Sequence, residues 1–268
     1  MPNQDLVLEA RDGAIVTLTL NDPDRRNVMS REMGEVLQAR VASLREDHEL
    51  RAVILTGAGK AFAAGGDFSM LEKLAARGAA GGDAPAIARE MRAFYGLFLS
   101  IRALPCPTLA AVNGAAIGAG LCLALACDLR VVSTAARLAL NFASLALHPG
   151  MGGSWTLPRL VGPAVAAELL YTGRVIPAEE ALRIGLINRA VAPEDVLPTA
   201  RTLAEEIAGA GPIAIRGIKQ ALAGSPDASL EHQLGIEAAE QAICFESKDV
   251  AEGLAAARER RIPRFRGI

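Results

Sequence analysis

Residues 113–128 read NGAAIGAGLCLALACD, a glycine-rich turn that runs straight into an apolar helix start. Glycine has no Cβ, so Gly114, Gly118 and Gly120 let a ligand approach the main chain closely. The first N–H groups of a helix have no partner inside it, so the turn aims free donors at negative charge. A second turn, AFAAGGD at residues 61–67, follows Ala52-Val53-Ile54-Leu55, which reads as a buried strand. Either turn alone is explained as a tight connection. The pair, in this order, can form the two halves of one oxyanion hole.

Working outward, residues 14–20 alternate as a strand, and Ser30 caps a helix with Met33, Val36, Leu37, Val41 and Leu44 on one face. The strand at 52–56 feeds the first glycine turn. Residues 78–82 (GAAGG) read as a mobile loop, and a helix over 85–102 carries Met91, Phe94, Tyr95, Phe98 and Ile101 at helical spacing. These large side chains belong to a core or to the wall of an apolar pocket. Strands at 108–112 and 129–132 flank the second turn and its helix, and this alternation predicts an α/β fold. From Pro163 onward helical patterns dominate, and the best boundary falls near 209–212, giving a core of residues 1–208 and a helical region of residues 209–268.

Composition narrows the classes. With 51% hydrophobic and 22% charged residues and a net charge of −2, the chain is an ordinary globular protein rather than a nucleic-acid binder. Cys106, Cys122, Cys127 and Cys244 show no CxxC spacing and read as buried thiols in a reducing compartment. His48, His148 and His232 are too scattered for a metal site. The opening MPNQDLVLEARDG lacks the basic start and apolar core of a signal peptide, which points to the cytoplasm. Residues 103–127 carry no charge, but Pro105, Pro107, Asn113 and several glycines interrupt the run. A strand and a buried helix account for it better than a membrane span.

The chain resembles the crotonase superfamily, the enoyl-CoA hydratase/isomerase family. The blocks that carry the resemblance are NDPDRRN at 21–27, VILTGAGKAFAAGGD at 53–67, the segment 107–128, HPGMGG at 148–153 with LPRLVG at 157–162, and Glu252-Gly253. The resemblance implies a spiral of ββα units with a helical C-terminal trimerisation region, the trimers often paired into hexamers. It also implies an acyl-CoA substrate, with coenzyme A present as part of that substrate and no separate cofactor. By motif position the oxyanion donors are the backbone N–H groups of Gly66 and Ala119, and Ala64 matches the position whose backbone contacts the adenine. Arg25 and Arg26 fall in the block that meets the CoA phosphates, where arginine suits bidentate contact, although a solvated loop explains them equally well.

The proton-transfer positions depart from the family. Its hydratases use two glutamates to activate water and protonate the α-carbon; here those positions hold Cys122 and Phe142, and a third acid position, used in other branches, is Gly150. Cys122 can titrate if the helix N-terminus lowers its pKa, yet its leucine neighbours favour a packing role. His148 lies beside the loop of the second acid and can exchange a proton near neutral pH; a loop histidine bonded to backbone is the plainer account. Asp67 closes the first turn, matches an acidic family position grouped by the resemblance with Arg25, Arg26 and Ala64 on the CoA-binding side, and precedes a helical run over 68–75 as a cap.

Two function classes remain. One is an enzyme on acyl-CoA thioesters that uses the oxyanion hole to stabilise an enolate; the other is a non-catalytic acyl-CoA-binding protein. An ionisable side chain near the thioester α- or β-carbon separates them. A dehydrogenase is opposed by the lack of a GxGxxG motif opening a helix.

Overall fold

The computed structural model describes residues 4–81 and 83–268. Strands β1 (Val7–Asp12) and β2 (Ile15–Leu20) lead to helix α1 (Arg31–Arg45), then β3 (Ala52–Gly57), β4 (Ala61–Ala63), α2 (Phe68–Ala79) and α3 (Ala84–Leu99). Next come β5 (Thr108–Val112), β6 (Ala115–Ile117), α4 (Ala119–Ala126), β7 (Leu129–Ser133), β8 (Arg137–Ala139) and α5 (Gly153–Thr172). The chain continues through β9 (Ile176–Pro177), α6 (Ala178–Arg183), β10 (Arg189–Val191), α7 (Val196–Ala208), α8 (Pro212–Gly224), α9 (Leu230–Glu246) and α10 (Lys248–Glu259).

The strands form two sheets, ordered β1-β2-β3-β5-β7-β10 and β4-β6-β8-β9. Within the larger sheet only the β1–β2 pair is antiparallel. The pairs β3–β4, β5–β6 and β7–β8 each give their first strand to the large sheet and their second to the small one, and a helix follows each pair. This is a ββα spiral, repeated in the path of the backbone and not in residue identity.

Both faces of the large sheet are covered, so its central strands are mostly apolar instead of alternating; the buried Arg130 of β7 is the charged exception, donating to Leu186 O at 2.9 Å and Cys127 O at 2.8 Å. Ile15, Ala52, Ile54, Leu109, Ala111 and Val131 pack under Val196, Ala200 and Ala204 of α7. Their neighbours Val16, Val53, Leu55, Ala110 and Val132 join the main core with the buried face of α1. Ser30 caps α1 by accepting from Met33 N at 3.2 Å. All eight residues of α4 are buried, which explains the long uncharged stretch. No helix among the described residues is long and apolar enough to cross a membrane.

Several boundaries differ from those read in the sequence. The helix expected over 85–102 ends at Leu99 and tightens into a 3-10 turn, Ser100–Ala103, as the chain approaches two prolines that disfavour helix before them. Gly78, expected in a loop, lies inside α2; Gly82 lies outside the described residues. Strands β9 and β10 interrupt the region expected to be helical. Cys106, Cys122 and Cys127 are buried free thiols, while Cys244 is partly exposed.

Asn27 holds the loop before α1 against the first glycine turn. It is fully buried with φ 54°. Its Oδ1 accepts from Asp22 N at 2.8 Å, and its Nδ2 donates to Ala58 O at 2.9 Å and Ala61 O at 2.8 Å. Asparagine tolerates this left-handed backbone better than alanine. Asn27→Ala is therefore expected to cost roughly 2–4 kcal/mol, read as a lower urea midpoint at unchanged slope; an unaltered midpoint would refute this role.

Candidate active site

The two glycine turns meet. A Cβ on Gly120, the second residue of α4, would stand 2.2 Å from Ala63 O at the end of β4, and one on Gly114 would stand 2.1 Å from Lys60 O. These glycines admit another stretch of backbone, not a ligand, which corrects the reason read from the sequence. Gly65, with φ 102°, lies against Ile117 O, where a Cβ would come within 2.9 Å. Gly66 differs: a Cβ there meets nothing within 4 Å.

Beside this junction lies a cavity of about 700 Å³. Its wall takes Gly66 and Phe68 from the first turn, Ile117 and Ala119 from the second, Met91, Phe94 and Tyr95 from α3, and Phe142 and His148 from the loop before α5. The lining is mostly apolar, and no aspartate or glutamate is among its described residues. Gly66 N and Ala119 N donate no hydrogen bond to the described backbone; Ala119 opens α4, where no intrahelical partner exists. An oxygen that gains charge beside them meets two preplaced donors.

The remaining sequence candidates divide around this cavity. Ala64 and Arg26 line it, and Ala64 N donates to Arg26 O at 2.9 Å. His148 stands at the exposed edge with Nδ1 2.8 Å from Pro149 O. A carbonyl only accepts, so Nδ1 is the donor in this contact. Cys122 is buried and absent from the lining; its Sγ donates to Gly150 O at 3.4 Å, and burial pushes the thiol up to about 12. It is a neutral packing thiol in this setting. Phe142 occupies the wall, its ring edge 4.0 Å from where a Cβ on Gly118 would stand.

Asp67 and Arg25 lie outside the lining. The Asp67 carboxylate accepts from Ser69 N at 2.8 Å and Ser69 Oγ at 2.7 Å, capping α2. The Ser69 hydroxyl bond leads the causes that hold it below the usual carboxylate range, and Arg25 adds to them. Arg25 itself pairs with Asp22 at 2.6 Å and with Asp67 at 3.6 Å. Asp67 is thus a structural cap with its charge already answered.

The sequence profile described as "Enoyl-CoA hydratase/isomerase" matches residues 10–267. The chain belongs to the enoyl-CoA hydratase/isomerase family. It is 35% identical to a crotonyl-CoA hydratase of Syntrophomonas wolfei over 267 residues, covering 99% of each chain. It is 33% identical to a short-chain-enoyl-CoA hydratase of Clostridium acetobutylicum, covering 97% of each. The crystal structure of an enoyl-CoA hydratase from Bacillus anthracis superposes with a TM-score of 0.90 at 35% identity, covering 98% of this chain and 100% of that one. Membership makes this an enzyme of the hydratase/isomerase type, built on the α/β crotonase fold.

Nothing in the sequence marked Asn141 as a wall residue, and the helical spacing placed Tyr95 in a core or pocket wall without a role for its hydroxyl, the one feature that sets it apart from the rest of the α3 stripe. Asn141 places Oδ1 3.3 Å from where a Cβ on Gly118 would stand, beside the second turn.

Proposed function

We propose that the protein binds acyl-CoA thioesters with the carbonyl oxygen between the N–H groups of Gly66 and Ala119, and processes them through a thioester enolate. The observation that carries this reading is the pair of unpartnered donors on the wall of an apolar cavity. As the thioester carbonyl becomes an enolate, charge grows on its oxygen, and donors already in place stabilise that charge without reorganising. The acyl chain takes the apolar lining of α3. Arg26 meets the CoA phosphates more readily than Arg25, which its two carboxylate partners hold. Since Ala64 N is committed to Arg26, Ala64 O is the group left for the adenine amine.

The helical region of residues 209–268 is read as the assembly surface of a homotrimer or a dimer of trimers. In support, α9 has no fully buried residue and exposes Leu230, Leu234, Ile243 and Phe245.

Crotonyl-CoA tests the reading. Saturable binding is expected, with hydration slower than the ordinary enzyme range of about 1–1000 per second, because Cys122, Phe142 and Gly150 supply no carboxylate. Loss of the enoyl thioester absorbance followed with pure protein measures it. Turnover within that range would overturn the acid-free account, and failure to bind would overturn the thioester reading. Binding with no hydration, no isomerisation of a 3-enoyl-CoA and no enolisation would favour the non-catalytic binder.

A further inference from the structure

Tyr95 faces the cavity from α3 with its ring edge-on to Phe94, the centroids 6.5 Å apart. Its hydroxyl makes no hydrogen bond to a described residue, an unusual state for a half-buried phenol on an apolar wall. Across from it, a Cβ built on Gly150 would stand 2.7 Å from Tyr95 Oη and 2.9 Å from Cζ. The phenol therefore fills the space that any side chain at position 150 would claim. Gly150 O in turn takes the Cys122 thiol from the second turn of α4, which places the hydroxyl close to the helix that begins with Ala119.

The other ionisable groups of the described lining are Arg26 and His148. Arginine keeps its proton throughout the working range, and His148 sits at the exposed rim. Burial, with a smaller contribution from Cys122, raises the Tyr95 phenol above its ordinary value, so it stands as a neutral O–H donor at neutral pH.

We propose that Tyr95 is the proton donor of this site, delivering its hydroxyl proton to the α-carbon of the thioester enolate held by Gly66 and Ala119. The Tyr95 O–H bond breaks as the new C–H bond forms. The enolate electron pair enters that C–H bond while the thioester carbonyl re-forms, and the phenolate regains its proton from water entering the cavity. The inference rests on the thioester reading above.

Run in reverse, the same step removes an α-hydrogen, which gives a test that needs no knowledge of the physiological substrate. Butyryl-CoA in D2O under alkaline conditions is expected to gain deuterium at the α-carbon, read by mass spectrometry, with the rate climbing as the pH rises because burial raises the phenol above its ordinary value. Tyr95→Phe keeps the ring and its contact with Phe94. It is expected to slow exchange at least about 100-fold, with calorimetric affinity for butyryl-CoA within about threefold of the parent, well under the tenfold that 1.4 kcal/mol represents. Gly150→Ala, whose methyl displaces the hydroxyl, is expected to slow exchange as well, and to add little in the Tyr95→Phe background. Exchange in Tyr95→Phe at the parent rate would overturn the proposal, as would butyryl-CoA that binds the parent and never exchanges. A parent that does not bind butyryl-CoA would instead overturn the thioester reading.

Discussion

Gly66→Pro is expected to lower thioester turnover by about 10²–10³-fold, the loss typical of removing one oxyanion donor. Proline has no N–H, and the position is open enough to receive a ring, since a Cβ on Gly66 meets nothing within 4 Å. Gly66→Ala is the control: it keeps the donor, fits the same open space and should retain most activity. The measurement is the rate of α-hydrogen exchange or of enoyl turnover per folded molecule, with the melting temperature followed alongside. A folded Gly66→Pro protein that works like the parent would remove Gly66 from the reaction.

Gly120→Ala is expected to act on the fold. The added methyl would sit 2.2 Å from Ala63 O, a main-chain atom that cannot rotate away, so β4 and α4 must part. Overpacking of this kind costs on the order of 3 kcal/mol, which for a chain of this size lowers the melting temperature by roughly 6–12 °C. Gly66→Ala, by contrast, should leave it nearly unchanged. Equal melting temperatures for the two alanine variants would show that the turns do not bear on one another as described.

Strands β3 and β5 were legible because the large sheet is covered on both faces, so each appears as a nearly unbroken apolar run, and β7 keeps that pattern around one buried arginine, Arg130. The two- and three-residue strands of the small sheet carry no period and were not foreseen. The two glycine turns were legible through their glycines, although for a partly mistaken reason: Gly114 and Gly120 make room for Lys60 O and Ala63 O. The region after Pro163 read as helix alone because β9 and β10 are too short to break the pattern.

Within the site, backbone donors were easier to find than side chains. Gly66 and Ala119 were proposed from their place in the family motifs, whereas the role proposed for Tyr95 depends on Gly150, a residue far along the chain that is notable for lacking a side chain. The sequence read Asp67 as a helix cap and Cys122 as a packing thiol, and their surroundings give the reason: Asp67 is spent on the α2 cap and Arg25, and the Cys122 thiol is buried against Gly150 O.

The contact between Gly120 and Ala63 O acts as a gauge block between the two halves of the site. The separation of the Gly66 and Ala119 donors is set by main chain resting on main chain, so it does not depend on which side chains furnish the surrounding wall. Phe142 and Gly150, on the cavity wall, can then be exchanged without resetting that spacing, whereas Cys122 is packed inside α4 itself. A library randomised at those two wall positions would vary the chemistry performed on one backbone frame.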